Sequence, residues 1–119
     1  MDTVYWKKLN KATCRKRFNL PLKKKLVLFV AKGGLDNYRK GGDIFEKIIL
    51  KNTNQDKINF VILGQQHKKI LSNTFFVNFN DNNQKLRQLY NAVDLSFCLS
   101  RYENIPYSML ESMSCGTPN

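Results

Sequence analysis

Four short apolar runs with helical stretches between them predict an α/β chain whose core is a doubly wound, parallel sheet. Three observations carry that expectation. The runs at 26–30, 58–64, 74–79 and 94–100 are brief and rich in Val, Ile, Leu and Phe, as strands covered on both faces require. DIFEKIILKN after the first run and QKLRQLYNAV before the last repeat their apolar residues at helical spacing. Glycine, asparagine and proline sit at the joints, where a chain that must turn needs them.

The elements come in this order. ATCRKRFNLP offers one or two basic helical turns before Pro21 ends them. KKKLVLFVAK holds the continuous run Leu26–Val30, the first strand. The loop KGGLDNYRKGG leads into a helix with apolar residues at 44, 45, 48 and 49, for which Asp43 is a sensible N-cap. INFVILG is a second strand ending on glycine, and TFFVNF a weaker third, closed by the turn residues NDNN. QKLRQLYNAV places Leu86, Leu89, Tyr90 and Val93 on one stripe, and DLSFCLS is the fourth strand. Pro106 suits a first helical position, so a last helix runs from Pro106 to Cys115, with Gly116 and Pro118 as stop signals. The strand order expected of such a sheet is 3-2-1-4, and ligands bind at the carboxyl ends of its strands. The loops at 31–42, 64–73, 80–83 and 100–106 therefore matter most.

With 119 residues, 42% apolar and 24% charged, the chain can bury one modest core. No apolar run reaches eighteen residues and MDTVYWKKLNK lacks an apolar h-region, so neither a membrane span nor a signal peptide is expected. Cys14, Cys98 and Cys115 are odd in number and lack metal-ligand spacing; they read as reduced thiols of a cytosolic chain. The net charge of +11 favours an anionic partner and is densest in KKLNKATCRKRFNLPLKKK. Such a strip is more often a solvated face than a docking surface.

The chemistry concentrates in RYENIPYSMLESMSCGTP. Glu103 lies in the loop before Pro106, and Glu111 lies inside the helix after it. Between them come the bare N–H groups of a first helical turn and the positive end of its dipole. Two carboxylates flanking an anion-friendly helix start suit a ligand with hydroxyls at both ends and a phosphate in the middle. For an arbitrary E-x(7)-E the plainer reading, two surface glutamates, would win. A glycosidase pair is a poor match, because its carboxyls must flank one bond on opposed faces.

The wider setting decides between them. LYNAVDLSFCLSRYENIPYSMLESMSCGTP resembles the donor-binding segment of family-4 glycosyltransferases of the GT-B fold. The matching residues are Leu89-Tyr90, Ala92-Val93-Asp94, Ser100, Glu103, Glu111 and Cys115 to Pro118. RKRFNLPLKKKLVLFVA, YRKGGD and FVILG resemble the family's entry to its C-terminal domain, its K-G signature and its second strand. The resemblance implies a Rossmann-like half of a GT-B fold in which Glu111 holds the ribose hydroxyls and Glu103 faces the donor sugar. It further implies that the backbone of Asn104, Ile105 and Tyr107 lies along sugar and diphosphate, and that Lys40 contacts phosphate. The family often carries an arginine just after its first strand; AKGGLDN stands there instead, leaving Lys32 and Arg39 as replacements.

K-G-G occurs at 32–34 and at 40–42. Glycine there would let backbone N–H groups approach a phosphate, with Gly33 among the candidates, or would simply make a turn. His67 reads as a surface loop residue. No carboxylate or histidine cluster has ligand spacing, so no metal and no cofactor beyond the nucleotide-sugar substrate is expected.

By the resemblance, residues 1–20 form a basic segment or linker and 21–119 a donor domain that is incomplete at its C-terminal end, with DLSFCLS left at a sheet edge. The expected function is that of a fragment of a retaining glycosyltransferase, in surface polysaccharide or glycolipid synthesis. Its acceptor, a saccharide or lipid-linked glycan, would be held by a missing N-terminal domain, and the isolated chain would be inactive. The expected location is cytoplasmic, with peripheral contact at the inner membrane face, and no nucleic acid is expected. The alternative is a non-catalytic basic module for nucleic acid or anionic membrane, resting on the charge alone.

Overall fold

A computed structural model describes residues 8–31, 34–53, 57–64, 73–77, 83–97, 111 and 113–118. The elements are α1 (Lys11–Arg17), β1 (Lys25–Val30), α2 (Gly42–Lys51), β2 (Ile58–Leu63), β3 (Thr74–Val77), α3 (Asn83–Ala92) and β4 (Leu95–Phe97), with a 3-10 turn at Gly34–Asp36 between β1 and α2. All strand pairs are parallel, and the sheet order is β3-β2-β1-β4, as expected.

Strand alternation divides the core in two. Leu26 and Leu28 of β1 and Val61 and Leu63 of β2 face α1 and α3, where Cys14, Leu89, Tyr90 and Val93 meet them. On the other face, Phe29, Phe60 and Ile62 pack with Phe45 and Ile49 of α2. Phe45 stacks on Phe29 at 4.9 Å between centroids and meets Phe60 edge-on at 5.6 Å. A strand with both faces covered has no polar side to display. This is why its sequence reads as an unbroken apolar run.

α1 begins at Asn10, whose side-chain oxygen accepts the Thr13 N–H at 2.9 Å. Its last turn is Arg15, Lys16 and Arg17, cations at the negative end of the helix dipole. The expected boundary at residue 20 falls just after this helix, yet Cys14 and Leu20 belong to the same core as β1 and α3.

One expectation needs correction. Asp43 is not the N-cap of α2: that position is Gly41, in the left-handed region at φ 83°, with no side-chain cap. Asp43 lies in the first turn instead, where a carboxylate still favours the dipole. The third strand is described over Thr74–Val77, and residues 78–79 of the expected run lie outside the described residues.

Candidate functional site

The strand order places a crevice between β1 and β4. From β1 the chain crosses by α2 to β2 on one side; from β3 it returns by α3 to β4 on the other. α2 and α3 cover opposite faces, so the crossover that leaves β1 and the one that returns to β4 run on opposite sides of the sheet. Such a topological switch point is where open α/β sheets receive ligands.

The turn after β1 is a tightly bonded unit. Gly34, at φ 63°, donates its N–H to the Ala31 carbonyl at 2.9 Å. Asn37 organises the approach to α2. Its side-chain oxygen accepts the Lys40 N–H at 3.0 Å, and its carbonyl accepts the Gly42 N–H at 2.9 Å. Gly41 donates to the Tyr38 carbonyl at 3.0 Å. The amides of 40, 41 and 42 therefore close the turn, and the second K-G-G serves backbone geometry rather than a direct phosphate cradle. Arg39 is exposed and Lys40 half-buried on this unit.

Two glycines permit its shape. A Cβ on Gly42 would lie 2.3 Å from the Leu35 carbonyl oxygen. One on Gly64, at the tip of β2, would lie 2.3 Å from the Ala31 oxygen and 2.7 Å from the Gly34 Cα. The end of β2 thus braces the turn carrying Lys40. Neither Gly64 nor Asn37 is singled out by sequence reasoning. An asparagine three residues before the lysine it caps is a local signal that could have found the second.

On the helix that comes after β4, Glu111 is half-buried. Its carbonyl accepts the Cys115 N–H at 3.1 Å, and burial pushes its carboxyl above the usual range. Below it the CGTP segment is a clasp. Cys115 fills the core beside Cys14, and Gly116, at φ 81°, turns the chain. The Thr117 hydroxyl donates to the Tyr90 carbonyl at 2.5 Å, and the Pro118 carbonyl accepts the Ser96 N–H at 2.9 Å.

Asp94 is equally structural. Its carboxylate accepts from Lys11 Nζ at 2.6 Å, Arg15 Nη2 at 2.7 Å and the Leu26 N–H at 2.9 Å. These bonds lie at the amino-terminal ends of β1 and β4, away from the crevice.

The structure therefore puts Lys40 and Arg39 on the β1 side of the switch point, and Glu111 on the helix that comes after β4. Glu103, Asn104, Ile105, Tyr107, Lys32 and Gly33 lie outside the described residues, as do His67 and Cys98.

The family model of glycosyl transferases group 1 matches residues 10–119. The chain belongs to this family. No curated protein sequence matches it. Solved structures share the fold of this group 1 glycosyltransferase domain. The C-terminal domain of a glycosyl transferase group 1 family protein, LpcC, from Francisella tularensis superposes with a TM-score of 0.74 at 18% identity, covering 98% of this chain and 67% of that one. The catalytic domain of Starch Synthase IV from Arabidopsis thaliana, bound to ADP and acarbose, gives 0.74 at 19% identity, over 99% of this chain and 30% of that one. TarM gives 0.63 at 20% identity, over 81% and 20%. The chain thus corresponds to a minor part of the last two proteins. At these identities the likeness is one of fold: a parallel α/β domain of the kind found at the C-terminal side of GT-B transferases.

Proposed function

We propose that the β1/β4 crevice binds a nucleotide-sugar donor, and that the chain is the donor-binding part of a retaining family-4 glycosyltransferase. The observation that carries this reading is the switch point itself, with the basic turn of Arg39 and Lys40 following β1; the half-buried Glu111, on the helix after β4, is assigned to the other lip. The ADP held by the Starch Synthase IV domain, which shares this fold, supports a nucleotide as ligand.

The roles derive from charge. Transfer of the sugar expels a nucleoside diphosphate, so negative charge grows on the diphosphate oxygens. Lys40, on a turn pinned by Asn37 and braced by Gly64, opposes that charge, and a cation already in place does so without reorganising. Arg39, and Lys32 with Gly33, add to the same positive lip. Glu111 accepts hydrogen bonds from the ribose hydroxyls. Glu103 faces the donor sugar, and the backbone of Asn104, Ile105 and Tyr107 runs beside sugar and diphosphate. Neither metal nor cofactor enters this scheme. A further domain would hold the acceptor, a saccharide or lipid-linked glycan, in cytoplasmic synthesis of surface polysaccharide or glycolipid.

Saturation-transfer NMR with UDP-, ADP- and GDP-sugars tests the reading. At least one should bind with little salt dependence, and Lys40→Ala and Glu111→Gln should each weaken it about tenfold, the worth of a charge-assisted hydrogen bond. Binding that ignores both substitutions, or that collapses as salt rises as nucleic-acid binding does, would overturn it.

A further inference from the structure

Much of the positive charge among the described residues lies away from the turn that carries Arg39 and Lys40. Between Thr3 and Leu35 the sequence carries no acidic residue. Among the described residues, the exposed cations of the segment that leads into β1 lie toward the amino-terminal edge of the sheet, the end opposite the crevice. Lys25 opens β1 and donates its N–H to the Lys57 carbonyl at 2.8 Å, bringing the lead-in to β2 alongside Lys23–Lys25. Arg15 bonds the carbonyls of Pro21, Leu22 and Lys24 at 2.9–3.3 Å and so holds the last turn of α1, with Lys16 and Arg17, over the same lead-in. α2 ends at this edge too: the carbonyl of its C-cap residue Asn52 accepts from the side-chain N–H of Asn73, which precedes β3, at 3.2 Å. That adds exposed Lys51.

The acid described at this edge, Asp94, is already bonded to Lys11 and Arg15. Two large apolar side chains stand out among the cations: Leu22, 50% exposed beside Lys23, and Leu50, 52% exposed beside Lys51.

We propose that this edge is a docking surface for an anionic lipid bilayer. Leu22 and Leu50 enter the headgroup region, and Lys16, Arg17, Lys23, Lys25, Lys51 and Lys57 face acidic headgroups. The pairing of exposed leucines with lysines selects a bilayer over a nucleic acid, which a basic surface grips through phosphate contacts and stacked aromatics. The large exposed aromatic among the described residues, Tyr38, belongs to the crevice turn instead. Docked by this edge, the crevice opens away from the headgroups. The surface deepens the peripheral membrane contact expected of the enzyme but is independent of the donor site, being built from other residues at the other end of the sheet.

Co-sedimentation of the full chain with vesicles tests it. Phosphatidylcholine vesicles containing phosphatidylglycerol should retain the protein, and pure phosphatidylcholine should not. Juxtamembrane lysines contribute roughly a fivefold gain each at low ionic strength, so the triple variant Lys23→Gln, Lys25→Gln, Lys57→Gln should lose about a hundredfold in partitioning. Leu22→Ser with Leu50→Ser should remove the binding that survives at high salt. Unchanged thermal unfolding and nucleotide-sugar binding in both variants would exclude misfolding. A variant with altered unfolding is replaced by Lys16→Gln with Arg17→Gln, at exposed helix positions, for which a loss of about twentyfold is expected. Binding indifferent to lipid charge, variants that partition as the parent does, or a short duplex DNA that displaces the protein from the vesicles would each overturn the proposal.

Discussion

Arg15 and Asp94 form an ion pair, Nη2 to Oδ2 at 2.7 Å, that joins α1 to the start of β4 across 79 positions of sequence. Arg15 is only 4% exposed, yet its guanidinium is well supplied with acceptors: Nε bonds the Ala92 carbonyl at 2.7 Å and Nη1 reaches the carbonyls that lead into β1. A buried cation so bonded is weak evidence of net stabilisation, but removing one partner leaves the other charge stranded. Arg15→Ala or Asp94→Ala should therefore cost about 3–5 kcal/mol. Arg15→Lys should recover only part of that, since a point charge cannot span these acceptors. Urea unfolding of the three variants checks this, and a cost under about 1 kcal/mol would contradict the structure.

The same carboxylate sets an acid limit. Burial alone would raise the Asp94 pKa. The Lys11 and Leu26 hydrogen bonds and the charges of Lys11 and Arg15 outweigh it and hold the pKa below the ordinary 3.8. A carboxyl depressed on folding contributes stability fully above its unfolded pKa and loses it as pH falls through the folded one. The parent chain should accordingly lose stability below about pH 4 more steeply than Asp94→Asn does. Thermal unfolding from pH 3 to pH 7 would show it.

Gly64 should tolerate no side chain. A methyl group there would sit 2.3 Å from the Ala31 oxygen, and both atoms belong to backbone held by sheet hydrogen bonds. Gly64→Ala should cost about 1–3 kcal/mol, as overpacking does. It should also weaken nucleotide-sugar binding by displacing the turn that carries Lys40, although Gly64 itself has no side chain to offer a ligand. Equal binding by variant and parent would sever the link between β2 and the crevice.

Phe45 is the keystone of the α2 face, fully buried and in ring contact with Phe29, Phe60 and Phe97. Phe45→Ala should cost about 3–5 kcal/mol, and Phe45→Leu distinctly less. Denaturant midpoints measure both.

The thiols at 14 and 115 should be inert in the folded chain. Burial pushes Cys115 up to about 11 and raises Cys14 as well. At pH 8 both should resist iodoacetamide until urea exposes them, read by mass spectrometry of the two peptides. Because a thiol raised on folding contributes stability below its unfolded pKa, the Cys115 contribution should fade as pH climbs from about 9 toward 11.

Much of the architecture was legible in local pattern. Leu26–Val30 and Ile58–Leu63 read as strands because both of their faces are buried, and the stripe Leu86, Leu89, Tyr90, Val93 reads as the buried side of α3. The motif around Ala92–Asp94 and Cys115–Pro118 was legible as a pattern but not as physics. Its described part proves to be a set of clasps at the end of the sheet away from the crevice. The helix cap at Gly41 was misread as Asp43, since a left-handed glycine closed by Asn37 and Tyr38 carbonyls needs no side-chain oxygen.

Period and punctuation determined from sequence alone that this chain alternates strands and helices as a layered α/β unit, because each signal is exchanged between residues a few positions apart. The order 3-2-1-4 was expected as the one typical of such sheets, and the structure bears it out. Only the tertiary structure decided that Arg15, in a strongly basic strip, is a buried anchor, that Gly64 is a brace for another strand's loop, and that exposed lysines collect at the edge remote from the crevice. Those facts depend on distances between segments tens of residues apart, which packing sets and no local pattern encodes.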